Sequence, residues 1–485
     1  MPLSSACGFV VAYVAFALGW SGAALSQRLV TLDIAATNAQ GEPVTDLQAA
    51  DVQVREDGKV RPVVFLRFDG DQRAVAPAAK GEFVNTPSPS PMVLLFDHSS
   101  ARMIATPSAW QEFENTLKQM PSLDRVYVDF ATGRGELFRI HRLPLGEQLE
   151  DADDVSKDVV SEMDQRVRKF QAMRDPEFDD PVQRATATFE PLYRLVQQMS
   201  SIPGRKSLIW LTHNVPMSVR AADGNADFTD QIQEIIRTAA RSNTAVYTIA
   251  QPAEGEKSDR DGESKQALQR IASSTGGRFY PKANVDTVMR DAAADAHGTY
   301  RLAYESATEA TDPTEHKIRV ESGRKGIHVR SPEVYRPAQS AQLDPDLLEQ
   351  MALSTGSASP FDATDIQLRV TTSGSVSSGT MHFDVRVEPA GIFIAKNGDR
   401  YQAKLSIAFA FYGEGFLEQA PAGEPFNIDL SAEQFREAAK NGIHIGRDVG
   451  VTNKVQRVRV MVFDPALHGL GTVTIPIASQ DILKQ

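Results

Sequence analysis

Three short stretches carry side chains of types that do chemistry: Asp97-His98-Ser99-Ser100-Ala101, Ala185-Thr186-Ala187 and Thr212-His213-Asn214. They offer a carboxylate, hydroxyls and imidazoles, a set that can bind a cation or move a proton. Asp97, His98 and Ser99 are consecutive, and adjacent side chains point apart, so the three cannot form a nucleophile relay with one another. No G-x-S-x-G elbow occurs in the chain. His98, His141 and His213 suit Zn²⁺ or Ni²⁺ by type, but no H-E-x-x-H spacing accompanies them. Gly204-Arg205-Lys206-Ser207 lacks the G-x-x-x-x-G-K spacing and leads into a strand, whereas a phosphate loop leads into a helix; it reads as a turn. Gly276-Gly277 reads as a helix C-cap. The acidic run Asp151 to Asp154 with Asp158 and Glu162 fits no EF-hand loop and reads as a solvated helix face.

The elements that must position these residues follow from periodicity. Met92 to Phe96 is a continuous apolar run ending at Asp97, and Ser207 to Leu211 is another ending before Thr212, as expected of strands buried on both faces. Trp110, Phe113, Leu117 and Met120 recur at spacings of three and four, which predicts a helix. Further strands are expected at Val126 to Phe130, Leu137 to Ile140, Ala245 to Ile249 and Arg278 to Tyr280. Helices are expected over 147–175, 189–199, 228–241, 264–274 and 284–296. The alternation predicts an α/β unit, doubly wound around a mostly parallel Rossmann-like sheet. In such a sheet ligands bind outside the carboxyl ends of the strands, and all three stretches fall there.

Alternation of period two marks the flanks. Val30, Leu32 and Ile34 precede the unit, with Asp57-Gly58 as a hairpin turn; Tyr300, Leu302 and Tyr304 follow it. The economical expectation is one β-sandwich with the α/β unit inserted. Beyond a second linker with one helical turn, Met381, Phe383, Val385 and Val387 alternate, and Leu405 to Phe411 and Val458 to Val462 do the same. Strands at this spacing suggest an immunoglobulin-like sandwich.

The sequence resembles the von Willebrand factor type A (VWA) family, and more closely the VWFA-related group of exported bacterial proteins. The resemblance rests on Met92-Val-Leu-Leu-Phe-Asp97, Ser201-Ile-Pro-Gly-Arg-Lys-Ser-Leu-Ile-Trp-Leu211, Ala245-Val-Tyr-Thr-Ile249, Ser274-Thr-Gly-Gly-Arg-Phe-Tyr280, Tyr300-Arg-Leu-Ala-Tyr304, His316-Lys-Ile-Arg-Val320 and Arg324-Lys-Gly-Ile-His-Val329. It implies a VWA domain and a metal-ion-dependent adhesion site: a D-x-S-x-S loop, a Thr from a second loop and an Asp from a third, holding Mg²⁺ through hard oxygen ligands. Asp97 and Ser99 match the first two places, and Thr186 the Thr. Ala101 offers no oxygen where the second Ser belongs, and His213 replaces the Asp expected after Thr212. The implied site is therefore degenerate, with Asp97, Ser99 and Thr186 as its remaining metal ligands; no cofactor is expected, and Mg²⁺ is the ion the site would take.

Of 485 residues, 41% are apolar and 24% charged, enough for about three domains with cores. The net charge of −12 and the lack of a basic block argue against a nucleic-acid partner. The first 26 residues carry no charge and hold an apolar run, Phe9 to Trp20, followed by small residues, which reads as a signal peptide. The single cysteine, Cys7, lies inside it, so the processed chain has no disulfide and no thiol chemistry. The expected organisation is a signal peptide over 1–26, a β meander over 27–75, a linker over 76–91, the VWA-like unit over 92–298, completing strands over 299–337, a linker over 338–362 and the second sandwich over 363–485. The expected function is that of an exported, periplasmic or secreted, non-enzymatic binding or scaffold protein. Its partner would be a protein or cell-surface component, with no stable transmembrane segment after processing. A metal-dependent hydrolase and a structural part of an envelope or secretion complex are the alternatives.

Overall fold

The computed structural model describes residues 29–70, 75–87, 90–120, 123–142, 159–213, 215–221, 224–250, 261–308, 312, 314–335, 345–375, 378–413, 416–419 and 421–477. The expected signal peptide, the acidic run 151–158 and Asn214 lie outside them. The chain opens with strands β1 (Leu29–Asn38), β2 (Val52–Glu56), β3 (Lys59–Arg61) and β4 (Val63–Phe68), then a three-residue β5 (Glu82–Val84). Asp57 and Gly58 both have positive φ, 48° and 78°, which the tight turn between β2 and β3 requires.

The central segment follows: β6 (Met92–Phe96), α1 (His98–Ile104), α2 (Pro107–Leu117), β7 (Val126–Ala131), β8 (Leu137–His141), α3 (Val159–Ala172), α4 (Pro181–Met199), β9 (Lys206–Thr212), a hairpin of β10 (Ser218–Ala221) and β11 (Gly224–Asp227), α5 (Thr229–Arg241), β12 (Thr244–Ala250), α6 (Asp261–Ser274), β13 (Phe279–Tyr280) and α7 (Val285–His297). Its six-stranded sheet has the order β13-β12-β9-β6-β7-β8. Leu192, Leu195, Ile235 and Leu268 pack on one face, and Trp110, Phe113, Val167 and Met289 on the other.

After it come β14 (Thr299–Glu305), β15 (His316–Ser322), β16 (Ile327–Arg330) and β17 (Val334–Tyr335). They pair with the first strands into two sheets, β16-β1-β14-β4 and β17-β15-β2-β3. Val30, Ile34, Val54, Leu302 and Ile318 fill the core that these strands enclose. The remainder is α8 (Pro345–Ala358), β18 (Leu368–Ser375), β19 (Thr380–Val387), β20 (Ala395–Asn397), β21 (Arg400–Gly413), β22 (Phe416–Gln419), β23 (Glu424–Ser431), α9 (Ala432–Asn441), β24 (Ile443–Gly450), β25 (Arg457–Asp464) and β26 (Gly469–Pro476). One sheet runs β24-β19-β18-β5; the other runs β20-β21-β25-β26, with β22 and β23 also on β21. Phe383, Val385, Ile407 and Val460 belong to the core shared by these strands.

These pairings correct the expected fold class. The segment 92–298, read from the sequence as a doubly wound, mostly parallel Rossmann-like α/β unit between β-sandwiches, does not form that fold. Antiparallel pairing dominates the described residues, and the sheet with parallel pairs is mixed, because β8 runs antiparallel to β7. The reason is connection length: residues 132–136 are too few for the crossover that a parallel neighbour needs. Neither expected linker is structureless. The first contains β5, and the second contains the fourteen residues of α8, with Leu353 buried against the C-terminal sheet.

Candidate functional site

Because β6 and β9 are parallel neighbours, their carboxyl ends deliver Asp97 and His213 to one edge of the mixed sheet. Asp97 is the N-cap of α1. Its Oδ1 accepts the Ser100 N–H at 2.7 Å and its Oδ2 accepts the His213 N–H at 2.9 Å. The Asp97 N–H in turn donates to the Leu211 carbonyl at 2.9 Å. The carboxylate thus satisfies one orphan donor of a helix start and ties together the loops after two strands. Ser99 is exposed, Ala101 is buried, and the buried Ser100 Oγ and Thr212 Oγ1 have no hydrogen-bond partner among the described residues.

Thr186 is not in a loop. Helix α4 begins at Pro181, capped by Asp180, whose Oδ2 accepts the Gln183 N–H at 3.1 Å. Thr186 therefore sits on the second turn, exposed, with its hydroxyl donating to the Val182 carbonyl at 3.0 Å. A Mg²⁺ centre needs several free hard oxygens converging on one point. Here both Asp97 oxygens hold backbone N–H groups, the Thr186 hydroxyl is turned onto its own helix, Ala101 has no oxygen, and His213 stands in the place of a carboxylate. These residues do not fit the ion. No group of three or more His, Cys, Asp and Glu able to hold a metal occurs among the described residues.

The same end of the sheet carries an ionic cluster that sequence reasoning missed. His98 Nδ1 lies 2.7 Å from Asp175 Oδ2, and His98 Nε2 lies 3.0 Å from Glu177 Oε1. Arg102, one turn further along α1, donates to the Asp175 carbonyl at 2.8 Å. Asp175 Oδ1 accepts the Gly133 N–H at 2.8 Å. The loop between α3 and α4 is thereby fastened to α1 and to the β7–β8 turn. A Cβ at Gly133 would come 2.9 Å from the Pro176 carbonyl oxygen, so this close approach requires glycine. His98 and Asp175 are 77 positions apart, and no local signal in the sequence joins them.

His141 is not part of this group. It sits at the opposite end of the sheet, its Nδ1 2.7 Å from the carbonyl of Val126, the first residue of β7. Elsewhere, Asp57, His316 and Thr314 line up as an acid, a base and a hydroxyl, with His316 Nδ1 2.7 Å from Asp57 Oδ2 and Nε2 3.1 Å from Thr314 Oγ1. The Thr314 hydroxyl donates to Asp312 Oδ1 at 2.6 Å, so its proton is already committed to a carboxylate. The arrangement fastens the β2–β3 turn to the start of β15.

Buried charges lie within the mixed sheet and beneath it. Asp129 on β7 is fully buried; burial pushes its carboxyl up to about 7 against the pull of Arg139, whose guanidinium is 2.9 Å away. At the lower end, Arg301 on β14 bonds Asp33 of β1 at 3.0 Å and Asp365 of the C-terminal unit at 2.9 Å. Burial alone would raise the Asp33 carboxyl, but Arg301, together with Arg205 and Asn243, more than reverses this and leaves it below the ordinary range. Lys206 is also buried; desolvation pushes its ammonium down to about 7, while Nζ donates to the carbonyls of Ile202 and Gly204 at 2.6 and 2.9 Å. No helix of the described residues is long and apolar enough to cross a membrane. No protein-family model matches the chain, and no curated protein is significantly similar to it.

Proposed function

We propose that the chain is an exported, non-enzymatic protein-binding or scaffold protein, acting in the periplasm or outside the cell through protein surfaces rather than through a bound ion. The observation that carries this reading is the use of Asp97: the carboxylate best placed for chemistry at the end of the sheet spends both oxygens on backbone N–H groups. The uncharged first 26 residues and the absence of cysteine after Cys7 support export. The resemblance of its short stretches to VWFA-related proteins supports a recognition role.

Calorimetric titration of the processed chain with MgCl2 and MnCl2 tests the reading. The expected result is no saturable binding at micromolar ion, together with capture of the same partner from the envelope fraction with or without EDTA. Micromolar binding that Asp97→Ala abolishes would overturn it. Turnover of an ester, phosphate ester or peptide that disappears with the same substitution would favour the metal-dependent hydrolase instead.

A further inference from the structure

The tetrapeptide Ala-Lys-Asn-Gly occurs twice in the chain, at 395–398 and at 439–442, and these copies hold its two Asn-Gly pairs. An Asn-Gly pair is open to a reaction of its own backbone: with no Cβ on the glycine, the glycine nitrogen can swing onto the asparagine side-chain carbon. The residues up to the glycine are the same at both places, so the fold sets the difference between them.

The first copy ends in a two-residue hairpin. Strand β20 pairs with β21 over three positions, the last being Asn397 opposite Arg400. Gly398 has φ +62° and Asp399 does not share the positive φ, which makes the turn type II′. Asn397 and Gly398 are both exposed, and a Cβ at Gly398 would meet nothing within 4 Å. The Gly398 N–H has no backbone acceptor among the described residues. The Asn397 Nδ2 donates to Gln402 Oε1 at 3.3 Å, an exposed contact that leaves Cγ open to approach.

The second copy closes a helix. Asn441 is the last residue of α9, and the Gly442 N–H that follows donates to the Ala438 carbonyl at 2.7 Å. Asn441 is exposed but Gly442 is buried, and a Cβ there would come 2.4 Å from Arg386 Cγ on β19. Bonded and enclosed, this nitrogen is held back from its neighbour's side chain.

We propose that Asn397 is a self-modification site, where the chain deamidates without an enzyme, and that the fold protects Asn441. The Gly398 nitrogen gives its proton to solvent and bonds to Asn397 Cγ. The bond from Cγ to Nδ2 breaks, and that nitrogen takes a proton from water and leaves as ammonia. Water then opens the five-membered succinimide at either carbonyl, giving aspartate or isoaspartate at position 397. Either product places a negative charge near Asp399 at the hairpin tip, and isoaspartate also lengthens the main chain at the last β20–β21 pair.

The test holds the whole processed chain at about pH 8 and 37 °C, samples it over weeks, digests it in acid and weighs the peptides, with fragmentation that separates aspartate from isoaspartate. In the folded chain a gain of about 1 Da is expected at Asn397 about tenfold or more faster than at Asn441, the factor that one retained hydrogen bond is worth. In guanidinium chloride the two sites should react at similar rates. Hydroxylamine, which cuts at the succinimide, should release 398–485 and not 442–485 from the folded chain, and Asn397→Gln should remove the mass gain from its peptide. Equal rates at the two sites in the folded chain would overturn the proposal. So would a folded-chain rate at Asn397 about tenfold or more below that in guanidinium chloride, since the hairpin would then protect it as well. The reaction involves no partner and no metal, so its failure is separate from that of the functional reading above.

Discussion

Asp97 is the residue on which the sequence and the structure meet most directly. Its position at the end of an apolar run, before a helix, was legible from the sequence; which groups its oxygens meet was not, because one of them, the His213 N–H, is 116 positions away. Asp97→Ala removes two acceptors of backbone N–H groups, each contributing about 1–2 kcal/mol. The variant is expected to lose about 2–4 kcal/mol in urea unfolding, and Asp97→Asn, which keeps one acceptor, to lose less. A loss below about 0.5 kcal/mol for the Ala variant would show that the clip does not hold the loops, since surface changes routinely fall in that range. Asp129 makes a pH-dependent prediction. Its folded carboxyl titrates near 7 against an ordinary 3.8, so the folded chain holds a proton that the unfolded chain has lost between those values. Its contribution to stability is complete below about pH 4 and is lost as the pH rises through 7. Relative to Asp129→Asn, the wild type should therefore lose stability between pH 4.5 and pH 7.5 in paired urea titrations. An unchanged difference would mean that Arg139 keeps the group ionised throughout.

At the scale of elements, legibility followed the strength of the local pattern. The strand at Met92–Phe96 and the helix carrying Trp110 and Phe113 were readable because continuous apolar runs and three-to-four spacing are strong signals. Helix α4 was read as spanning 189–199, whereas it starts at Pro181, a little over two turns earlier, and carries Pro191 in its interior. The interior proline is tolerated because its neighbours pack: Phe189, Leu192 and Leu195 are all buried. Strand β5 was hidden because three residues in an Ala/Pro/Ser-rich stretch have no pattern, and the partner that makes them a strand comes about 285 positions later, as the pairing of Val84 with Arg369 shows. Helix α8 was hidden because apolar residues lie on both its sides; Leu353 is buried while Leu347 and Met351 are half exposed. Its end is held by Arg459, a fully buried cation on β25 that donates to the Gly356 carbonyl at 2.7 Å and the Ser359 carbonyl at 2.5 Å. Arg459→Met strands those carbonyls. It should cost about 2–4 kcal/mol and speed amide hydrogen exchange at Leu353 relative to the β21 and β25 strands. Equal protection in both chains would mean that the apolar contacts of α8 suffice.

Across the whole molecule, three groups of elements meet at Arg301. The pairing of the two flanks could be argued from their alternation and their position on either side of the central segment. The attachment of the C-terminal unit could not, because an Arg at a strand position gives no hint that two distant carboxylates, Asp33 and Asp365, will enclose it. Arg301→Met leaves both carboxylates buried without their cation. This is expected to cost about 3–5 kcal/mol at neutral pH. Small-angle scattering should show a larger radius of gyration as the C-terminal unit loosens, and the deficit should shrink as acid neutralises Asp33. An unchanged radius at pH 7 would assign the attachment to the other contacts, among them β5 with its anchors and Phe361 against the central core.

The pairing of β5 with β18 has a mechanical consequence. Asn85 is knotted into the C-terminal unit, and residues 86–91 are all that separate it from β6, whose last residue hands over to Asp97. Tension on the far end of the protein would thus load a three-residue ladder in shear and reach the Asp97 loops along covalent bonds, in parallel with the Arg301–Asp365 ion pair and the stacking of Arg125 on Phe361.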